Sequence, residues 1–256
     1  MSELDEATSA ALAELLLSMA DDEFVLGFWD SEWTGIAPIL EEDVAMSSVS
    51  QDEIGHARAW YELLAGLTGR DADEIAFGRP AEAYRHAALM NHPRTDWAFT
   101  IARRFLYEHA DAVRLESLAA SSYRPLAELA VKMRREETYH LLHFDLWLRR
   151  LSEGGEESHG RLAAAVEQLW SDAQAVFAPL AEEGLLVAAG ILPEPLEALR
   201  LRWLERVGPR LAAAGLPVPA TAAGPAVDGR TRRTADFAWL HGEFTMVSGS
   251  EVGATW

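Results

Sequence analysis

Residues 51–56 read QDEIGH and residues 136–140 read EETYH, so the spacing Glu-x-x-His occurs twice in the chain. In an α-helix, residues i and i+3 lie on the same face, so each copy would present a carboxylate and an imidazole in one direction. Helices with this motif supply part of the ligand set of carboxylate-bridged di-iron and di-manganese bundles. The two motifs therefore predict a helical protein with metal ligands in its interior.

An acidic residue in a largely apolar stretch precedes each motif. Glu23 lies 30 positions before Glu53, and Glu108 lies 29 positions before Glu137. Two antiparallel helices joined by a turn bring such residues to the same level when each lies about 12–14 residues from the connection. All four carboxylates can then lie in one layer of a bundle, with each histidine about one turn away. The predicted metal ligands are Glu23, Glu53, His56, Glu108, Glu137 and His140.

A single Glu-x-x-His often arises by chance in a helical, Glu-rich protein as a solvated pair. Two copies, each with a carboxylate at the matching distance upstream, are harder to explain in this way. Four carboxylates in a core without cations would be very costly. The sequence therefore predicts that these glutamates either bind metal or are not buried.

Each ligating glutamate of the two motifs follows another acidic residue, Asp52 in the first and Glu136 in the second. A metal-bound imidazole usually donates the N–H of its other ring nitrogen to a carboxylate, which fixes the tautomer and raises the basicity of the ligand. We predict that Asp52 accepts from His140 and that Glu136 accepts from His56, across the helix pair.

The composition limits the chemistry and the partners. The chain of 256 residues has no cysteine, which excludes disulfides, thiolate nucleophiles and iron–sulfur clusters and leaves oxygen and nitrogen as metal ligands. Such ligands suit iron or manganese. A net charge of −19 argues against nucleic acid and against anionic membranes as partners. Without a basic signal-peptide start or an apolar run of about 18 residues, a cytoplasmic location is expected.

Helical periodicity dominates and strand-like alternation is nearly absent, which predicts an all-α single domain over residues 1–256. The core bundle would cover about 5–151, and C-terminal helices and a tail about 158–256. The four long helices are expected at Ser2–Asp30, Ile39–Thr68 before Gly69, Trp97–Ala120 after an N-cap at Thr95 or Asp96, and Leu126–Leu151. Shorter elements are expected at Ala81–Met90, His159–Glu182, Pro195–Ala214 and Ala235–Met246, with an irregular segment at 215–236.

Several stretches resemble the ferritin-like subunits of ring-1,2-phenylacetyl-CoA epoxidase, the multicomponent phenylacetate-CoA oxygenase. These stretches are EWTGIAP at residues 32–38, YHL at 139–141, WLRRL at 147–151 and the closing Trp256. The resemblance covers most of the chain, from about Asp22 onward, and in length and tail it is strongest to the smaller of the two ferritin-like subunits, the C subunit. It implies a ferritin-like four-helix bundle with additional C-terminal helices.

In familiar members, the smaller C subunit is a structural partner that has largely lost its metal ligands, and the larger A subunit carries the di-iron site. Here the motifs at residues 51–56 and 136–140 match those of the active, larger subunit, and Glu23 and Glu108 fall where its other ligands fall. The resemblance therefore implies two iron ions, with manganese as the alternative metal, in a body like that of the smaller subunit.

The activity that the resemblance implies is that of a monooxygenase subunit in aerobic phenylacetate catabolism. In the family, O₂ is reduced with electrons from a flavin/iron–sulfur reductase, and one oxygen enters the ring of a phenylacetyl-CoA-type thioester as an epoxide. The expected partners are a larger ferritin-like oxygenase subunit and that reductase, whose cluster a chain without cysteine cannot carry. Two alternatives stay open: a metal-free structural subunit, and an independent di-metal oxidase.

Overall fold

The computed structural model describes residues 4–220 and 228–250, and those residues form helices and turns without any β-strand. The helices are α1 (Glu6–Ser31), α2 (Leu40–Thr68), α3 (Ala72–Phe77), α4 (Trp97–Leu118), α5 (Arg124–Glu153), α6 (Glu156–Ala173), α7 (Glu183–Ala188), α8 (Leu196–Ala213) and α9 (Ala235–Ser250). Short 3₁₀ turns lie at Ala81–Ala83, Ala88–Asn91 and Gln174–Phe177. The predicted class, all-α and ferritin-like with additional C-terminal helices, is confirmed. Within the described part of the chain, no helix is both long enough and apolar enough to cross a membrane.

The described residues group into two compact units. The first lies within Met1–Leu12 and Arg94–Gly229, and the second lies within Ala13–Pro93 and Arg230–Trp256. The organisation of residues 1–256 as a single domain stays a prediction.

Helix α4 forms the centre of the first unit, where it packs on α5, α6 and α8. The Asp96 carboxylate caps its first turn by accepting a hydrogen bond of 2.8 Å from the Phe99 amide, as the sequence predicts. Further along, Trp203 of α8 donates its indole N–H to the Leu106 carbonyl oxygen at 3.0 Å. These contacts hold the helix that carries Glu108.

In the second unit, helices α1 and α2 approach each other closely at Gly27. A Cβ atom added there would lie 3.1 Å from Glu53 Cβ and 3.2 Å from the Ser50 carbonyl oxygen. Helix α2 ends where the sequence predicts, at Gly69, whose φ of 73° lies in the left-handed region that favours glycine. The close approach brings the backbone of α1 next to the ligand-bearing part of α2.

The predicted helix over Ala81–Met90 is wrong. That stretch holds two short 3₁₀ turns, and the backbone between them is extended, with ψ of 152° at Tyr84 and 154° at Ala87. The α-helix of this region is instead α3, which lies before Pro80.

Two acidic side chains of α1 explain the extended backbone. The Arg85 amide donates to Asp21 Oδ2 at 2.5 Å, and the Ala87 amide donates to Asp22 Oδ1 at 2.7 Å. Because these amides bond to buried carboxylates, they do not bond to the carbonyl oxygens of a helix. A tertiary contact overrides the local helix propensity of the Ala-rich sequence.

The bounds of the later helices differ less from those expected from the sequence. The helix expected over His159–Glu182 begins earlier, ends at Ala173 and continues as a 3₁₀ turn before Pro179, and α7 was not predicted. The helices expected at Pro195–Ala214 and Ala235–Met246 are confirmed within a few residues. The segment expected to be irregular is non-helical at 216–220 and 228–234, and residues 221–227 lie outside the described part.

Candidate metal centre

The six predicted ligands are all buried, although they are charged or polar side chains. Their exposed fractions are at most 5%: Glu23 1%, Glu53 1%, His56 5%, Glu108 1%, Glu137 3% and His140 3%. Of the two possibilities that the sequence left open, a solvent-exposed set of carboxylates is thereby excluded. The six residues fall into two ligand groups, one in each unit.

The α1–α2 ligand group consists of Glu23, Glu53 and His56. The Nδ1 atom of His56 lies 3.3 Å from Glu23 Oε2. The other oxygen, Glu23 Oε1, accepts a hydrogen bond of 3.2 Å from the indole N–H of Trp60. Glu53 precedes His56 by one helical turn on the same face of α2. One carboxylate oxygen of Glu23 on α1 therefore faces the His56 imidazole, and the other oxygen accepts a hydrogen bond from Trp60 on α2.

The α4–α5 ligand group consists of Glu108, Glu137 and His140. One ligand atom of each residue lies within 4.8 Å of those of the other two. His140 Nδ1 lies 3.3 Å from Glu137 Oε1 and 3.9 Å from Glu108 Oε2. Two carboxylates so close to one imidazole nitrogen could hold a metal ion.

Arg104 is part of the surroundings of this group, and sequence reasoning missed it. Its Nη2 atom contacts Glu108 Oε1, and its guanidinium carbon lies 4.8 Å from the ring centroid of Phe144. Both Arg104 and Trp60 lie four positions from a ligand, before Glu108 and after His56 respectively. This spacing places them on the ligand face of their helices, so the sequence alone could have identified them as neighbours of the ligands.

The two carboxylates predicted to accept hydrogen bonds from the histidines are more exposed to solvent than the six ligands are. Asp52 is half-buried and Glu136 is exposed. Their predicted hydrogen bonds, from His140 to Asp52 and from His56 to Glu136, stay predictions.

His109 is next to Glu108 in sequence, but its side chain contacts a residue outside the ligand group. Its Nε2 atom lies 2.9 Å from Asp145 Oδ1 on α5. Burial lowers the pKa of His109, although Asp145 acts in the opposite direction. Burial raises the pKa of Asp145, but the His109 hydrogen bond and Arg210 lower it more. A neutral His109 that donates its Nε2–H to an ionised Asp145 fits these contacts, and it joins α4 to α5.

The chemistry of the donor set suits metals that accept oxygen and nitrogen ligands, and iron and manganese are among them. All six side chains offer carboxylate oxygen or imidazole nitrogen, which suits these metals, whereas soft metals prefer sulfur. Carboxylates enclosed in a core need compensation by cations, and two divalent ions would supply it. Each ligand group by itself has two carboxylates and one imidazole, as expected for one half of a carboxylate-bridged pair.

Comparison with known proteins agrees with this chemistry. The chain matches the model of a family described as "Phenylacetic acid catabolic protein" over residues 1–256. It is 31% identical over 215 residues to the C subunit of 1,2-phenylacetyl-CoA epoxidase from Escherichia coli (strain K12), covering 81% of this chain and 84% of that protein. It is 24% identical over 204 residues to the A subunit of the same enzyme, covering 78% of this chain and 66% of that protein. The resemblance that the sequence motifs indicate is confirmed, and the chain belongs to the family of phenylacetic acid catabolic proteins.

Proposed function

We propose that this chain is a ferritin-like subunit of a multicomponent monooxygenase that epoxidises a phenylacetyl-CoA-type thioester. The observation that carries the proposal is the burial of four glutamates and two histidines in two groups of matching composition. The relatives named as subunits of 1,2-phenylacetyl-CoA epoxidase supply the reaction and the substrate class. A cytoplasmic location is also part of the proposal.

In this proposal, the chain binds two metal ions, iron in the first place and manganese as the alternative. The ligands are Glu23, Glu53, His56, Glu108, Glu137 and His140. When bound, the metal pair supplies the reduction of O₂ that ring epoxidation requires. The chain itself contributes carboxylates that balance the charge of the metals, and imidazoles that leave room for further ligands.

Apolar residues around the ligands keep water away from the site. In the first unit, Phe105 and Phe144 are fully buried on α4 and α5, the helices that carry Glu108, Glu137 and His140. A dry surrounding strengthens electrostatic interactions and protects a reactive oxidant from side reactions. The packing that stabilises this unit therefore also serves the proposed chemistry.

The proposal includes two protein partners, a larger ferritin-like oxygenase subunit and a flavin/iron–sulfur reductase. A chain without cysteine cannot hold the reductase cluster, so electrons must come from another protein. Helix α5 offers a surface for a partner, because Tyr139, Leu142 and Leu146 are exposed by 75%, 64% and 41%. These three residues share one face of the helix, and an exposed apolar face of this kind is typical of a protein interface.

A metal-free structural subunit of the same complex is the second candidate. The contact between Arg104 and Glu108 favours it, since a guanidinium can compensate a buried carboxylate without any metal. The identity to the smaller epoxidase subunit, which exceeds that to the larger one, points in the same direction. The two candidates differ in one measurable property, the amount of metal bound.

The test is the metal content of the chain produced in iron-replete cells and purified without oxygen. We expect two iron ions per chain, and we expect Glu53→Ala and His140→Ala to remove bound metal while circular dichroism shows the same helical content. Glu62→Ala is the matched control, since Glu62 lies on α2 but is 56% exposed and paired with Arg58. Activity is then measured with the larger subunit, the reductase and phenylacetyl-CoA.

The outcomes separate the candidates. A parent protein without iron or manganese would favour the structural subunit. Full metal content in both variants would show that the ligand assignment is wrong. Metal binding and oxidase activity without any larger subunit would favour an independent di-metal oxidase.

A further inference from the structure

We infer that helix α9 is the interface through which two copies of this chain associate, each copy placing the outer face of α9 against the same face of the other. This association goes beyond the proposed function and does not depend on the metal centre. Three observations carry it: the apolar character of both faces of α9, the lack of charge at the centre of the outer face, and the open space around Gly242.

Helix α9 is apolar on its inner face and on its outer face. The inner face is buried within the second unit through Phe237, Leu240 and Phe244. On the outer face, Trp239 and Met246 are exposed by 53% and 62%. A helix that is hydrophobic all round is normally enclosed in a core, and α1, which also lacks an amphipathic pattern, is enclosed along most of its length. The outer face of α9 is therefore expected to be covered in the assembled protein.

The centre of this outer face carries no charge. The exposed residues that lie together there on the helical surface are Ala235, Ala238, Trp239, Gly242 and Met246. The charged residues of α9 are Asp236 and Glu243, seven positions apart, and both lie on one flank of this face. Contact at the centre would therefore bury apolar surface without burying a charge.

The lack of charge favours a second copy of this chain as the occupant. A contact about a two-fold axis places the same patch of both copies together, so a charge at its centre would meet its like. With a net charge of −19, two copies also repel each other, and an uncharged patch adds no further repulsion at the contact. The exposed face of α5 differs, because self-contact there would bring Arg135 of one copy toward Arg149 of the other.

Two residues prepare the outer face for such a contact. The ring of Trp239 stacks on that of the buried Trp29, with 6.0 Å between centroids and 21° between planes. Because the ring is already held in place, little of its freedom is lost on binding, and tryptophan anchors often dominate the energy of an interface. Gly242, near the midpoint of α9, has nothing within 4 Å of an added Cβ. Its lack of a side chain lets a second helix approach closely.

The experiment is sedimentation analysis of the full chain over a range of protein concentrations. We expect a monomer–dimer equilibrium that shifts toward the dimer as NaCl is added, because salt screens the repulsion between two acidic copies. Gly242→Arg should weaken the dimer by more than about tenfold, since two like charges would meet at the axis. Gly66→Arg is the matched control, because Gly66 is also an exposed helical glycine with open space around it, and it should dimerise like the parent.

A mixture of opposite charges tests whether the face meets its own copy. Gly242→Glu should also be monomeric by itself, whereas an equimolar mixture of Gly242→Arg and Gly242→Glu should form a dimer that contains one copy of each. Because the chain has no cysteine, Gly242→Cys provides its only thiol. Mild oxidation should convert this variant to a disulfide-linked dimer, and Leu201→Cys, on the exposed surface of α8, should stay unlinked.

A parent protein that stays monomeric at every concentration would overturn the inference and would leave the outer face of α9 to a different protein, such as the larger subunit. Undiminished association of a folded Gly242→Arg variant, or a mixture of the two charged variants that stays monomeric, would also overturn it. Circular dichroism shows whether the variants fold, and if Gly242→Arg does not, the cross-link of Gly242→Cys still tests the contact. Each of these outcomes leaves the proposed function intact, because metal content is measured separately.

Discussion

Helix α1 carries three consecutive acidic residues, Asp21, Asp22 and Glu23, that are all buried. Arg79 forms an ion pair with Asp21 at 2.5 Å, and Arg230 forms one with Asp22 at 3.0 Å. A buried charge is tolerated when it is paired and hydrogen-bonded. Asp21 and Asp22 are therefore structural residues, whereas the carboxylate of Glu23 faces an imidazole.

His86 is the residue through which we expect stability to depend on pH. It is fully buried, and its Nε2 atom lies 3.0 Å from Asn91 Oδ1. Burial holds its pKa well below the ordinary value of 6.5, and Arg233 acts in the same direction. As the pH falls below 6.5, the unfolded chain binds a proton at this residue before the folded chain does. The free energy of unfolding should therefore decrease, by up to about 1.4 kcal/mol per pH unit.

Urea denaturation between pH 8 and pH 5 measures this dependence for the parent and for His86→Gln. At pH 8 the histidine is neutral in both states, so the difference there gives the cost of the substitution itself. Below pH 6.5, the free energy of unfolding should decrease less steeply with falling pH for the variant than for the parent. Parallel profiles for the two proteins would contradict the assignment to His86.

At the scale of elements, the packing of α1 against α2 depends on one glycine. At Gly27, an added Cβ would meet Ile54 Cγ1 at 2.9 Å, Glu53 Cβ at 3.1 Å and the Ser50 carbonyl oxygen at 3.2 Å. The Ile54 side chain can move, but the other two atoms are tied to the backbone of α2. The two helices therefore approach each other closely next to Glu53, a predicted ligand.

We predict that Gly27→Ala lowers both the stability and the metal content of the protein. In an exposed helix interior, Gly→Ala would stabilise by about 1 kcal/mol. Here the added methyl group must push α2 away and displace Glu53. Gly66→Ala is the matched control, since Gly66 lies within α2 with nothing near its added Cβ. It should raise the midpoint of thermal unfolding, and an equal increase for Gly27→Ala would contradict the prediction.

At the scale of the whole molecule, the exposed face of α5 is a candidate for a partner surface. Tyr139, Leu142 and Leu146 lie on that face, and the same helix buries Glu137 and His140 on its other side. Large apolar side chains that cluster in solvent mark interaction sites more often than isolated ones do. A protein docked on this face would lie directly behind the α4–α5 ligand group.

We predict that Leu142→Glu abolishes or strongly weakens co-purification with a co-expressed larger subunit, because a charge would be buried in the interface. Leu201→Glu is the matched control, since Leu201 is also an exposed leucine, 49% accessible, but lies on α8. Metal content and helical content should stay unchanged in both variants. Equal co-purification of the parent and Leu142→Glu would exclude this face as the docking surface.

The sequence predicted the parts that local rules control. The cap at Asp96 and the helix end at Gly69 follow from side-chain and backbone preferences of single residues, and both are confirmed. The burial of the six proposed ligands agrees with the helical spacing of their motifs. The stretch Ala81–Met90 could not be predicted in this way, because its backbone amides bond to carboxylates about 65 positions earlier.

By itself, the sequence determined the helical class, the membership in its family and the identity of the six candidate ligands, because periodicity and motif spacing are local properties of the chain. Only the tertiary structure decided that Asp21, Asp22 and Glu108 contact arginines and that Glu23 and Glu108 each face an imidazole. It also decided that the Trp60 indole donates to Glu23 and that the Arg104 guanidinium contacts Glu108. Those pairings depend on which side chains of different helices and turns meet, and on the exclusion of water from the places where they meet.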